Sequence, residues 1–131
     1  MYTIIRFTRV PTNNDLLKDI GSELNESIPG AYTGIRRAGD GFACDVSNAD
    51  AWKQHRDAIM LFLERADHSV HKAREYDIDV CVDVAVESED STGRNVLSLY
   101  LDRELMARLV AMDVGLEFSV YGGRDEEIRD E

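Results

Sequence analysis

Between Asp77 and Glu87 the chain alternates without a break. Ile78, Val80, Val82, Val84 and Val86 take every second position, and Asp77, Asp79, Cys81, Asp83, Ala85 and Glu87 fill the rest. A period of two belongs to a strand, whose successive side chains point to opposite faces. One face of this strand is then wholly aliphatic, and the other carries a carboxylate at nearly every step. The second face is unusual, because aspartate is depleted in strands and like charges on one face repel.

The same two periodicities predict the remaining elements. Tyr2–Arg9, rich in β-branched and aromatic residues, predicts a strand that Pro11 ends. Leu16, Leu17, Ile20 and Leu24 recur at helical spacing and predict a helix from a cap at Thr12 or Asn13 to Ser27, weakened but not broken by Gly21. Ala31–Arg37 and Phe42–Val46 predict two strands joined as a hairpin around Gly39-Asp40-Gly41, since glycine accepts positive φ. Ser47-Asn48-Ala49-Asp50 offers a cap to one long helix over residues 50–74. Its buried stripe is Trp52, Ile59, Phe62, Leu63, Ala66, Val70 and Ala73. A polar loop at Glu89–Gly93 separates the alternating strand from Val96–Leu101, a further strand with Leu97, Leu99 and Leu101 inward. Asp102 caps a short helix to Met112, and Leu116–Tyr121 alternates again, with Leu116, Phe118 and Val120 inward.

The order is βαββαββαβ. It predicts an α+β fold: a single, mostly antiparallel sheet of about six strands with helices on one face. Residues 1–123 are expected to form one domain, and residues 124–131 a charged, mobile tail.

Composition narrows the class. With 131 residues, 44% hydrophobic and 31% charged, the chain can bury a core without staples. No apolar run approaches the ~18 residues of a membrane span, and MYTIIRFTRV lacks the pattern of a signal peptide. Cys44 and Cys81 are isolated, so free thiols and a cytoplasmic location are expected. The net charge is −11. Met1–Tyr76 carries only −1 of it and Asp77–Glu131 carries −10. Such a field repels nucleic acid and anionic membrane and attracts basic partners.

Helices on one face leave the other open. Its expected outward residues include Asp45, Asp77, Asp79, Asp83, Ser98, Tyr100, Glu117, Ser119 and Tyr121. Tyrosine adds rigid contact area at low entropic cost. Asp77, Asp79, Asp83, Tyr100, Glu117 and Tyr121 therefore form the candidate partner-binding set, an acidic face for a basic protein surface. The plainer alternative is a solvated face whose charges block aggregation.

Other constellations carry less. Glu64, His68, His71 and Glu75 share one face of the expected long helix. No second helix supplies a matching ligand pair, so no metal is expected. His55 lies on the Trp52–Ile59 stripe and is expected to be a satisfied, partly buried histidine. Arg36 and Arg37, with Arg6 and Arg9, are expected to pair with the protein's own acidic face. There is no dinucleotide or phosphate loop, no nucleophile elbow and no H-E-x-x-H. The expectation is a protein that is not an enzyme and holds no cofactor.

The segment NVLSLYLDRELMARLVAMDVGLEFSVYGG, Asn95–Gly123, resembles the end of a group of uncharacterised bacterial α/β domains. There a leucine-alternating strand, a short helix and a last strand ending in tyrosine close the domain. In size, acidity, αβ alternation and lack of a catalytic motif, the whole chain resembles the immunity proteins of bacterial toxin–immunity systems, including contact-dependent inhibition. That resemblance implies a non-enzymatic inhibitor that occludes a cognate basic toxin domain, typically a nuclease. No functional residue carries over by position. The rival from another class is a small-ligand-binding or regulatory domain.

Overall fold

The computed structural model describes residues 1–9, 14–37, 39–88 and 98–122. The expected helix cap at Thr12 or Asn13, the loop at Glu89–Gly93, the first two residues of the Val96–Leu101 strand and the 124–131 tail lie outside these residues.

The elements run β1 (Tyr2–Thr8), α1 (Asn14–Ser27), β2 (Gly41–Ser47), α2 (Trp52–Arg65), α3 (Asp67–Glu75), β3 (Asp79–Ser88), α4 (Arg103–Met112) and β4 (Gly115–Gly122). The class is α+β, but the expected sheet of about six mostly antiparallel strands is corrected. Among the described residues there is one four-stranded mixed sheet, ordered β2-β1-β3-β4. β1 pairs antiparallel with β2 and β3, and β4 runs parallel to β3. A parallel neighbour needs a crossover, and α4 supplies it.

Two expected strands are absent from the sheet, each for an identifiable reason. Ala31–Arg37 belongs to no ladder. The Asn25 side chain takes both backbone groups of Tyr32: its Nδ2 donates to the carbonyl at 3.0 Å, and its Oδ1 accepts from the N–H at 2.8 Å. Only the turn of the expected hairpin forms, where Arg36 N–H donates to Gly41 O at 2.7 Å. Ser98–Leu101 also lies outside the sheet. There the Trp52 indole N–H donates to the Tyr100 carbonyl at 2.9 Å, tying this segment to α2. The single helix expected over 50–74 is two helices, turning at Ala66. Asp67 in the first turn of α3 suits a helix start, where the dipole favours negative charge.

The core lies between the sheet and the helices. Ile5, Phe7, Phe42, Cys44, Val80, Val82 and Val84 on the strands meet Leu17, Ile20, Leu24, Ile59, Leu63, Val70 and Leu105 on the helices, all fully buried. Phe7 and Phe42 face each other in register and stack with ring centroids 4.7 Å apart. Each buried valine contributes about 1.5–3 kcal/mol. Repulsion on the opposite face costs at most about 1 kcal/mol per close like-charged pair. The aliphatic side of β3 therefore outweighs its acidic side.

The buried histidine is matched on both ring nitrogens. His55 is fully buried: Nε2 lies 2.6 Å from the Ala49 carbonyl and Nδ1 lies 2.8 Å from Thr3 Oγ1. A carbonyl only accepts, so Nε2 donates there, and in the neutral ring Nδ1 accepts from the Thr3 hydroxyl. Asp102 caps α4, accepting from Leu105 N–H at 2.9 Å, and is held bidentately by Arg56 at 2.8 and 3.0 Å.

Two predictions follow from this packing. A Cβ at Gly21 would lie 2.4 Å from the Tyr32 ring carbons. Gly21→Ala should therefore destabilise the protein by about 1–3 kcal/mol through overpacking, although alanine is the better helix former by about 1 kcal/mol. Urea unfolding measures the sign, and a more stable variant would refute the contact. Arg56, and then the Leu105 N–H, hold the Asp102 carboxyl well below the usual carboxylate range. A depressed folded value means the stabilisation is present above the unfolded value of ~3.9 and is lost as pH falls through the folded one. Asp102→Asn, which can still cap the helix, should lower Tm near neutral pH, and the gap from the native protein should narrow steadily below about pH 4. A gap constant with pH would show that the charge contributes nothing.

Candidate functional site

The strand faces turned away from the helices form the candidate site, and the register places their side chains in rows. One row runs Asp45, Ile4, Asp83, Glu117 across β2, β1, β3 and β4. The next runs Ala43, Arg6, Cys81, Gly115. On the other side of the first row come Tyr2, Ala85 and Ser119, and then Glu87 beside Tyr121. Asp79 stands at the far end of β3, opposite Thr8.

The structure brings together four of the six residues expected to bind a partner. Asp83 and Glu117 are direct neighbours, with Asp79 and Tyr121 towards opposite ends of the same face. Asp77 and Tyr100 are not on it. Asp77 occupies the left-handed region (φ 60°) in the turn that links α3 to β3. Tyr100 is 75% exposed in the segment before α4. Both placements correct the expectation that these residues point outward from strands.

The face centres on Arg6, one of the four arginines expected to pair with it. Its NH2 donates to Glu117 Oε2 at 2.6 Å, and its Nε lies 3.8 Å from Asp83 Oδ2. The same NH2 lies 3.7 Å from Cys81 Sγ. Burial works against the guanidinium charge, but Cys81, Asp83 and Glu117 outweigh it and hold its pKa above the usual value. The Ser119 hydroxyl donates to Asp83 Oδ1 at 3.3 Å. Tyr2 reaches sideways, and its hydroxyl donates to Asp45. That bond, more than burial, raises the Tyr2 pKa. The sequence carried a signal for Arg6 and Tyr2: Tyr2, Ile4, Arg6 and Thr8 alternate with Thr3, Ile5 and Phe7. Only the strand order reveals that Arg6 sits between acids more than 70 residues away.

Arg6 at Asp83 and Glu117, and Arg74 at Asp79, leave a face with Asp45, Asp79, Asp83, Glu87 and Glu117 net negative. The Arg6–Glu117 pair is partly solvated, 28% and 51% exposed. Pairs of this kind stabilise by about 0.2–1 kcal/mol, too little to lock the face against a competing cation. Of the four arginines expected to neutralise the acidic face, only Arg6 does so. Arg9, Arg36 and Arg37 form no ion pair among the described residues, and Arg9 and Arg36 are tied through backbone N–H groups to Asp40 O and Gly41 O. Asp79 has a different partner, Arg74, at 3.8 Å.

The histidine set is dispersed. The turn at Ala66 puts Glu64 on α2, apart from His68, His71 and Glu75 on α3. His68 lies 3.9 Å from Glu23, and His71 lies 3.5 Å from Asp67. Among the described residues no three His, Cys, Asp or Glu side chains are grouped to hold a metal ion. No helix is long and apolar enough to cross a membrane among those residues.

The cysteines sit on opposite faces of the sheet, both as free thiols. Cys44 is buried in the core and Cys81 is half-buried beside Arg6. Burial, with a smaller push from Asp45, raises the Cys44 thiol to about 12. Burial also raises Cys81, opposed by the Arg6 guanidinium. Native protein should therefore alkylate at Cys81 and not at Cys44. Arg6→Gln should move the midpoint of the Cys81 rate–pH profile upward. The midpoint is the measure, because loss of the side chain also opens access and alters the rate itself. An unchanged midpoint would break the proposed coupling of Arg6 to Cys81.

No protein-family model matches the chain, and no curated protein and no solved structure matches it either.

Proposed function

We propose that this chain is a non-enzymatic binding protein that presents the open face of its sheet to a basic protein surface. The observation that carries this reading is a sheet face, free of helices among the described residues, that gathers Asp45, Asp79, Asp83, Glu87 and Glu117, with Arg6 against Asp83 and Glu117. Carboxylates crowded on a strand face cost stability, and a cationic partner relieves that cost. Opposite potentials also accelerate encounter and suppress wrong partners. The narrower form of the proposal is an immunity protein. The partner is then a basic toxin domain, a nuclease in the first instance, and the face meets the lysines and arginines that the toxin uses on nucleic acid. Inhibition is by occlusion, so it needs no catalytic group on this side.

Co-purification from the source cell at about 0.1 M salt tests the binding reading. The partner should be a basic protein, released near 1 M salt as the Debye length falls from ~10 Å to ~3 Å. Asp83→Asn with Glu117→Gln should weaken retention at least about tenfold, since truncating central charged contacts at such surfaces typically removes 1 kcal/mol or more each. Retention of a neutral or acidic protein, or of the same partner by the double variant, would refute the site. The toxin form stands if the isolated partner degrades nucleic acid and stoichiometric addition of this chain stops it. A basic partner without toxic activity would leave binding in place and remove the toxin.

A further inference from the structure

At one end of the open face the sheet forms a hollow of about 440 Å³, lined by Met1, Tyr2, Ala85, Glu87 and Tyr121. Tyr2 is opposite Ala85 on one side of β3, and Tyr121 is opposite Glu87 on the other. The two tyrosines stand on strands that flank β3, roughly 9.5 Å apart across the sheet and two residues, roughly 6.7 Å, apart along it. Tyr2 also leans away towards β2, where its hydroxyl bonds Asp45. Tyr121 and Glu87 are direct neighbours, so the Tyr121 ring and the Glu87 carboxylate form one wall of a slot whose floor is the bare methyl of Ala85. Both tyrosines are exposed, 42% and 58%.

Resting on the acidic-face reading above, we infer that this slot takes an arginine side chain of the basic partner, with the guanidinium on the Tyr121 ring, its N–H groups on Glu87 and its stem over Ala85 towards Tyr2. Three features select arginine over lysine. A guanidinium is planar and stacks on aromatic faces, whereas an ammonium is a strongly hydrated point charge. Its paired donors also match a carboxylate. The slot gives an otherwise diffuse acidic surface one shaped anchor. It also accounts for an alanine on β3 where a longer side chain would fill the hollow.

The test uses two blocked hexapeptides of equal charge, (Gly-Arg)₃ and (Gly-Lys)₃, titrated at low salt and followed by NMR. The arginine peptide should bind about 2- to 5-fold more tightly, with the largest shifts at Tyr2, Ala85 and Tyr121. Tyr121→Ala or Glu87→Gln should bring the two affinities together. Tyr121→Phe, which keeps the ring, should preserve the difference and controls for folding. Equal affinities in the native protein, with both weakened by Asp83→Asn/Glu117→Gln, overturn the slot and leave the acidic face standing. A preference that survives Tyr121→Ala overturns the slot as well. Failure of both peptides to bind overturns the slot together with the reading it rests on.

Discussion

The pleat of the two central strands governs what this protein displays. Ile5 and Phe7 on β1 and Val80, Val82 and Val84 on β3 are fully buried beneath the helices. Side chains alternate along a strand, so burying these commits Tyr2, Ile4, Arg6, Asp83, Ala85 and Glu87 to the opposite face. A slip of one residue would bury aspartates and expose valines, and the energetic gap makes the register unambiguous. The acidic face is thus the complement of the core, written in the intervening positions of the same strands.

Within that frame the charges are arranged locally. Much of the cationic content of the N-terminal half is spent on acids of the protein itself. Arg56 holds Asp102, Lys72 holds Glu23, and Arg74 holds Asp113 at 2.6 Å. These pairs join helices to one another or to the segments beside them. Arg6 enters the middle of the open face, its guanidinium between Asp83 and Glu117, while Arg74 reaches Asp79 at one end. Cys81 lies in the same row as Arg6 and Cys44 lies beneath the sheet, so the two thiols differ in access and in acidity.

Local pattern was enough to read the strands that became β1, β2, β3 and β4, and the stripes of α1, α2, α3 and α4. Most of the residues the periodicities pick out are buried, but Phe118 and Val120, expected inward on β4, are 37% and 69% exposed, because β4 is an edge strand. The pattern failed where one side chain diverts a backbone. Tyr32 alternates as a strand should, but Asn25 claims its N–H and C=O. Leu99 and Leu101 alternate too, but Trp52 anchors the carbonyl between them. Trp52 lies 48 residues from Tyr100, beyond any local window, and Asn25, only seven residues from Tyr32, acts across the Pro29-Gly30 turn, where neither periodicity registers it. The candidate site divides along the same line. Asp83, Glu117 and Tyr121 were legible because each sits in an alternating strand. Tyr100 was lost with the strand assigned to it, and Asp77 to a left-handed turn two residues before the ladder begins. Arg6, 111 residues from Glu117 along the chain, became part of the face only when β1 was placed beside β3.

The placement of β1 also has a consequence for how the molecule is made. Tyr2 pairs with Ala85, and the whole of β1 lies between β2 and β3. A ribosome adding about 5–20 residues per second produces β1 several seconds before the strand that covers its second edge. During that interval an aliphatic and aromatic strand has an open hydrogen-bonding edge, the feature that invites pairing between chains. α1 and β2, both made earlier than β3, can shield one edge and one face. The other edge waits for Asp79–Ser88, so the acidic alternation of β3 closes the most aggregation-prone stage of biosynthesis as well as completing the surface.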